Sequence, residues 1–483
     1  MEENKHSKEV SSNGIHNAKV AHKENQHPVL HKVLDHVLTV VVCVAFYLLI
    51  PIFLPLSLAF RVYRAQIHKR LHARNKLTLM SGSDAMMQAD TQENRMVINA
   101  LLTMRGKLDI AAHQERCMER MVKARNDYGD LNFPKMGQYA NQLLHRDVWM
   151  NETDFKIEEH LFIHPEQAPE DKSELGTFIG DICSRPLPAC KSPWQILYLR
   201  THEPDLFIAL FRVHHIIADG ISLVRMVTTC MTDDVPDMGV VKRFGTSTKW
   251  KKVAQLLYQG PLILLKSIAW PADHSVLHGA TLSGQKLVMW SDPISLNLIK
   301  RIKNATATTV NDVVVSCLAG AFRNYFLKHQ STMPDDISAY IPVDIRPPHG
   351  RIVLDNQFSL VFLSLPLTSS NSMETLKKTQ ERMGAIKWMA STLLTWIAKK
   401  CSMVLSNVPG PSEPLHLLGN KIEDIMFWPP CMANVGLGVS IFSYSGNVRI
   451  GVLSDKNLLT NPDLLVQEFV KKVNELATEL KLE

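Results

Sequence analysis

The 483-residue sequence has no C-x-x-C pair: its eight cysteines lie scattered at 43, 117, 183, 190, 230, 317, 401 and 431. Such spacing offers neither a disulfide framework nor a cysteine-based zinc site, and it fits a reducing, cytosol-facing setting. A P-loop, a dinucleotide fingerprint and an H-E-x-x-H helix are also missing, so neither a bound nucleotide cofactor nor zinc-peptidase chemistry has a motif behind it, and no metal is expected. The chain shows no fixed-period repeat and no low-complexity tract. Charge of neither sign dominates: 53 Lys+Arg face 47 Asp+Glu, a dispersed excess of +6, and no nucleic-acid partner is expected from it. With 46% hydrophobic and 21% charged residues, the chain is not collagen-like, mucin-like or wholly disordered. Its length suits two or three units of about 150 residues, each able to bury a core.

One long apolar run is present. From Val37 to Phe60, 24 residues carry no formal charge, enough at about 1.5 Å per residue to cross a hydrocarbon core of roughly 30 Å. A polar stretch precedes it, which argues against a cleaved signal peptide. A basic cluster follows (Arg61, Arg64, Lys69, Arg70, Arg74, Lys76), against only Lys19, Lys23 and Lys32 in the comparable stretch upstream, so the larger part of the chain is expected on the cytoplasmic side. Pro51 and Pro55 leave two topologies open, a single span and a re-entrant hairpin. Residues 1–30 read as a disordered polar tail. Its histidines (6, 16, 22 and 27) have neither ordered spacing nor a cysteine partner for a metal.

Beyond the anchor, 90–125 reads as helical, with Met96, Leu101 and Leu102 buried. Phe207–Val213 reads as a buried strand. The run 249–273, with Lys251, Lys252, Lys266 and Trp270, either dips into a membrane interface or packs as a crossover between lobes. A helix is expected after Thr309, with Val310, Val314, Cys317 and Leu318 on one face. Strands are expected at ISAYIPVDI, FSLVFLSLPL, VSIFSY and VRIGVL, the last two forming a hairpin across Ser445-Gly446-Asn447. A final helix begins at Asn461-Pro462 with Leu465, Phe469, Val473, Leu476 and Leu480 as its buried stripe.

The chemistry concentrates at one strand end, His214-His215-Ile216-Ile217-Ala218-Asp219-Gly220. A neutral imidazole near pKa ~6.5 accepts a proton from an alcohol at cellular pH, so His214 and His215 are both candidates for a general base. Neighbours on a strand face opposite ways, which leaves one of them for a given cavity. From the residues alone, a polar pair beside a turn remains an equal reading.

The motif H-H-x-x-x-D-G resembles the signature of the CoA-dependent acyltransferase superfamily. Asn311-Asp312-Val313-Val314, Pro342-Val343-Asp344-Ile345-Arg346, Asn356-Gln357-Phe358-Ser359 and Ser406-Asn407-Val408-Pro409-Gly410-Pro411 occur in the order of the bifunctional wax ester synthase/diacylglycerol acyltransferase family. Where that family carries P-L-W, this chain has Ser192-Pro193-Trp194. The resemblance spans about 90–480 and implies an α/β fold of two lobes, each like chloramphenicol acetyltransferase, around a central tunnel, with the N-terminal membrane helix added.

By position in the motif, His215 is the base that would deprotonate the acceptor for direct attack on the acyl-CoA thioester, and His214 shapes the site. The resemblance makes Asp219 structural, with Arg346 as its partner. Gly220 is expected to permit the tight turn. Asn311 is either the oxyanion donor or the cap of the helix it opens. Ser406 and Asn407 would border the substrate tunnel. CoA serves as acyl carrier and no cofactor is implied. The expected domains are 1–30 (tail), 31–76 (anchor with basic flank), 77–245 (N-terminal lobe), 246–290 (crossover) and 291–483 (C-terminal lobe).

The expected activity is transfer of a fatty acyl group to a long-chain alcohol or diacylglycerol, giving wax esters or triacylglycerol, on the endoplasmic reticulum with the catalytic part cytosolic. Two alternatives stand beside it. One is another acceptor, a sterol or a short alcohol; the other is a non-catalytic membrane lipid-binding protein of the same fold.

Overall fold

The computed structural model describes residues 28–75, 77–143, 146–234, 271–329, 332–346, 352–384 and 398–482, with 254, 257–262, 265 and 269 besides. The tail over 1–27 with its four histidines, and Lys251, Lys252, Lys266 and Trp270, lie outside the described residues. The chain forms two compact units, one of 1–66 with 243–269, the other of 67–242 with 270–483.

The first unit is built on helix α1 (Pro28–Asn75), which runs unbroken through Pro51 and Pro55. Its stretch His36–Ile67 is long and apolar enough to cross a membrane, about 48 Å at 1.5 Å per residue. The apolar side chains lie open around it, Leu48 at 70% exposure and Phe53 at 61%. A short segment, 257–262, packs along it: Tyr47 Oη donates to the Leu257 carbonyl at 2.7 Å, and Tyr258 Oη bonds His36 Nδ1 at 2.8 Å.

The second unit runs β1 (Thr78–Leu79), α2 (Gly82–Met86), β2 (Val97–Arg105), α3 (Ile110–Cys117), β3 (Gln138–Leu143), β4 (Arg146–Asn151), β5 (Leu161–Ile163), α4 (Lys172–Ser184), β6 (Trp194–Arg200), β7 (Leu206–His214), α5 (Gly220–Met226), β8 (Lys286–Trp290), β9 (Ile294–Ser295), α6 (Leu296–Ala305), α7 (Val310–Lys328), β10 (Asp336–Asp344), β11 (Phe358–Pro366), α8 (Ser372–Gly384), β12 (Met403–Pro409), β13 (His416–Leu417), β14 (Asn420–Trp428), β15 (Leu437–Tyr444), β16 (Asn447–Asp455) and α9 (Pro462–Glu479). Two sheets organise it. One is ordered β13-β14-β2-β7-β6-β5, the other β11-β10-β12-β15-β16-β8 with β9 also on β16, and a small third sheet is β1-β4-β3. The architecture is thus α/β with two lobes.

The helix expected over 90–125 is corrected. Residues 97–105 form β2, a central strand between β14 and β7, and only 110–122 is helical. Val97, Ile98, Leu101, Leu102 and Met104 are all buried, because a central strand is covered on both faces and its apolar run loses the period-2 signal. The domain limits also shift. Lys286–Trp290, assigned to the crossover, pairs with β16 in the C-terminal sheet, whereas β13 and β14, in the C-terminal half of the sequence, complete the N-terminal sheet.

In the C-terminal lobe, α7 and α9 share one core in which Phe322, Phe326, Phe469 and Val473 are fully buried. Asn461 caps α9 with Pro462 in its first turn; Leu480 falls just past its end. Ser445 and Gly446 both have positive φ (47° and 78°), closing a two-residue hairpin with Tyr444 opposite Asn447. In α4, Gly176 and Gly180 let the helix lie directly on β8: a Cβ on either would stand 2.3 Å from a strand carbonyl.

Candidate active site

Strand β7 is buried from Phe207 on, is apolar apart from Arg212, and ends at His214. The two histidines then part. His214 Nε2 bonds Asp90 Oδ1 at 3.1 Å, and its Nδ1 accepts from the Ile216 amide at 3.2 Å. It lines an open cavity of about 490 Å³ with Asp90, Arg95 and Cys190. His215 turns to different partners. Its amide donates to the Met96 carbonyl at 2.6 Å, its Nδ1 bonds Asn356 Oδ1 at 2.8 Å, and its ring lies 5.6 Å from that of Phe358. Burial pushes the His215 pKa below 6.5, against the opposing pull of the Asp219 charge and the Asn356 bond. The ring is therefore neutral, the form a base requires.

Asp219 makes no hydrogen bond to His215 among the described contacts. One carboxylate oxygen caps α5 by accepting from the Ser222 amide at 3.0 Å. The other accepts from Arg346 Nη2 at 2.5 Å and from the Gln357 amide at 2.9 Å. Arg346 also holds the Asp355 side chain at 2.9 Å and Asp344 at 3.1 Å. Asp219 and Arg346, named together from the sequence, thus meet, and they tie the loop after β7 to the segment that carries Asn356.

Gly220 does not have the role expected of it. It is the first residue of α5, its φ is not positive, and a Cβ built there would meet nothing within 4 Å. It lies instead on the wall of a partly open apolar cavity. That cavity holds about 90 Å³ and is lined by Met121, Met136, Met226, Gly220, Val408 and Pro411 among others. The SNVPGP segment and the HHxxxDG segment therefore border one apolar space.

Asn311 is not the cap of α7. Thr309 is, in a reciprocal capping box with Asp312, a T-x-x-D pattern visible in the sequence. Asn311 lies two residues further on, in the first turn of α7, is exposed, and accepts from Asn407 Nδ2 at 2.8 Å through its Oδ1. Ser406 is buried in β12, opposite Ser440 of β15.

Two residues escaped the sequence reading. Asp84, buried in α2, accepts from Asn356 Nδ2 at 2.9 Å and pairs with Lys135 at 2.8 Å. Lys135 in turn donates to the Ile217 carbonyl at 3.1 Å. The Ser192-Pro193-Trp194 segment secures this neighbourhood: Ser192 Oγ donates to the Lys135 carbonyl at 3.0 Å and Trp194 Nε1 to the Met136 carbonyl at 2.9 Å. Neither Asp84 nor Lys135 lies in a recognisable motif, so no local signal marked them. Among the described residues no cluster of His, Cys, Asp and Glu could hold a metal ion.

Comparison with known proteins decides the family. The model of the wax ester synthase/diacylglycerol acyltransferase catalytic domain matches residues 80–269, and that of the WS/DGAT C-terminal domain matches 384–477. The chain belongs to this family, one of acyl-CoA-dependent O-acyltransferases. A putative diacylglycerol O-acyltransferase of Mycobacterium tuberculosis is 24% identical over 66% of this chain and 74% of its own. An O-acyltransferase of Acinetobacter baylyi is 21% identical over 69% and 84%. Among solved structures, the wax ester synthase/diacylglycerol acyltransferase from Marinobacter aquaeolei VT8 superposes with a TM-score of 0.63 at 22% identity, covering 84% of this chain and all of that one. The first condensation domain of the calcium-dependent antibiotic synthetase shares the fold at TM-score 0.56 and 14% identity, over 83% and 96%. Of the family motifs, HHxxxDG lies within the matched catalytic region and SNVPGP within the matched C-terminal region.

Proposed function

We propose that this family member is a membrane-anchored O-acyltransferase that moves a fatty acyl group from acyl-CoA to a long-chain alcohol or diacylglycerol, with His215 as general base. The observation that carries the proposal is a half-buried His215 whose pKa burial holds below 6.5, with one ring nitrogen engaged by Asn356 and the other left for a substrate. The ring nitrogen that Asn356 does not engage takes the proton from the acceptor hydroxyl. The hydroxyl oxygen then attacks the thioester carbonyl carbon, and the carbonyl oxygen takes the negative charge. The amide group of Asn311, whose oxygen Asn407 engages, is the candidate donor to that oxyanion. When the C–S bond breaks, the CoA thiolate recovers the proton from the imidazolium, and no acyl-enzyme is required.

The cavity is lined by apolar side chains, and Met121, Met136 and Met226 on its wall are the residue type that gives way most readily to a long chain. Helix α1, with exposed apolar side chains and a basic flank, supports anchoring to a membrane, here assigned to the endoplasmic reticulum with the catalytic part cytosolic. Lipid acyl donors and acceptors partition to the same surface.

The test is ester formation by membranes carrying wild type or His215→Ala, given labelled palmitoyl-CoA with hexadecanol or diacylglycerol in parallel. Wax ester or triacylglycerol from wild type alone is the expected result. Its absence with both acceptors would move the assignment to another alcohol or to lipid binding.

A further inference from the structure

We infer that Asn356 is a positioning residue that fixes the protonation pattern of the His215 ring, held in its working orientation by Asp84. The inference rests on the proposed role of His215 as base. Asn356 has one acceptor and one donor end, and the surroundings leave it a single way to sit. Its Nδ2 faces the His215 carbonyl at 2.7 Å and Asp84 Oδ1 at 2.9 Å. Both of those oxygens accept, and the second belongs to the side chain that pairs with Lys135 at 2.8 Å. A flipped amide would set oxygen against two oxygens in a buried site, which leaves polar groups unpaired and is strongly disfavoured. The Oδ1 must therefore face His215 Nδ1, at 2.8 Å.

An amide oxygen cannot donate, so Nδ1 carries the hydrogen. In a neutral imidazole the other nitrogen, Nε2, is then the free lone pair. Base catalysis needs that form, because a ring protonated on Nε2 offers no acceptor to the substrate hydroxyl. The set of bonds has a second effect. Asn356 grips both the ring and the main-chain carbonyl of His215, so the side chain is fixed relative to its own backbone. Asp84 is itself 2% exposed and is held by Lys135, whose ammonium also reaches the Ile217 carbonyl. Segments far apart in sequence, around 84, 135, 215 and 356, thereby set one proton on one nitrogen.

The experiment compares kcat, KM for acyl-CoA and the pH dependence of kcat for the membrane-bound full-length enzyme in wild type, His215→Ala, Asn356→Ala and Asn356→Asp. Asn356→Ala removes the side-chain acceptor from Nδ1 and leaves only the weaker pull of the His215 backbone on the ring, and kcat should fall roughly 10- to 100-fold with KM changed less than about twofold. Asn356→Asp still accepts from Nδ1 but adds a negative charge that favours the imidazolium. Its second oxygen replaces the Nδ2 donor and faces Asp84 and the His215 carbonyl, so its kcat falls as well, and the distinguishing readout is the acid limb of the profile, which should move to higher pH. Wild-type kcat in Asn356→Ala, alongside an inactive His215→Ala, would overturn the positioning role and leave the base in place. Equal losses in both Asn356 variants with an unmoved acid limb would reduce Asn356 to scaffolding and overturn the inference as well. An active His215→Ala would remove the base, and the role of Asn356 with it.

Discussion

Arg346 and Asp219, 127 positions apart in sequence, join through a 2.5 Å ion pair that fastens the loop following the active-site strand. Asp219 spends both carboxylate oxygens on structure, one on the α5 cap and one on Arg346 and the Gln357 amide. Asp219→Ala should lower stability by about 2–3 kcal/mol, less than the full cost of breaking a buried pair because Arg346 keeps Asp344 and Asp355. Thermal unfolding and ester formation should decline together. A normal Tm with no activity would show that Asp219 acts in the chemistry itself.

Replacing His215 by alanine should lower turnover by about 100-fold or more. The native fold should remain, since β7 and the sheet do not depend on the imidazole. Circular dichroism and Tm near wild type would accompany the loss. Full turnover in the variant would end the assignment.

The pH profile follows from the buried ring. A depressed pKa keeps His215 unprotonated to lower pH than a free histidine, so kcat/KM should stay level as pH falls through 6.5 and drop only below it. An acid limb centred above 6.5 would contradict the burial-dominated environment.

His113 gives a separate prediction for stability. It is fully buried, its Nδ1 bonds Tyr198 Oη at 2.7 Å, and burial lowers its pKa to about 4. The unfolded chain takes up the proton near pH 6.5 while the folded chain does not, so the unfolded state binds more protons between those values. Stability should fall as pH drops from about 6.5 to about 4, by roughly 3 kcal/mol from this residue. His113→Phe should flatten that part of the curve in urea unfolding. An unchanged slope would assign the acid sensitivity elsewhere.

Gly220→Val should change Tm little, because a Cβ at this position meets nothing within 4 Å. It should instead narrow the apolar cavity. A shift of activity from palmitoyl-CoA toward shorter acyl-CoA, or a loss of bulky acceptors, is expected in competition assays. Unchanged selectivity would mean that substrate chains do not pass this wall.

The readable parts of the sequence were those where one face is polar or a turn is punctuated. The α9 stripe with its Asn-Pro start, the hairpin at Ser445-Gly446 and the strand ending at His214-His215 all announce themselves this way. Strand β2 does not, because both its faces are covered and the apolar residues fall at no diagnostic spacing. The site divides similarly. HHxxxDG and Arg346 were recognisable as motif members. Asp84 and Lys135 acquire meaning only when folding brings them to Asn356, and nothing in their neighbours' identities shows it. Gly220 misled for a physical reason: glycine before a helix suggests backbone freedom, but here it takes an ordinary helical position on a cavity wall.

Strand β14 has a consequence for the time course of synthesis. It covers the edge of β2, and Arg105 meets Glu423 across 318 positions of sequence. A ribosome adding about 5–20 residues per second exposes that edge for roughly 15–60 s before its cover is made. During this interval β7 can already pair with β2 on the other side, so the nascent chain displays a half-finished sheet with one open ladder. A product truncated before 416 keeps that ladder open permanently, and self-association along β2 is the fate expected of it.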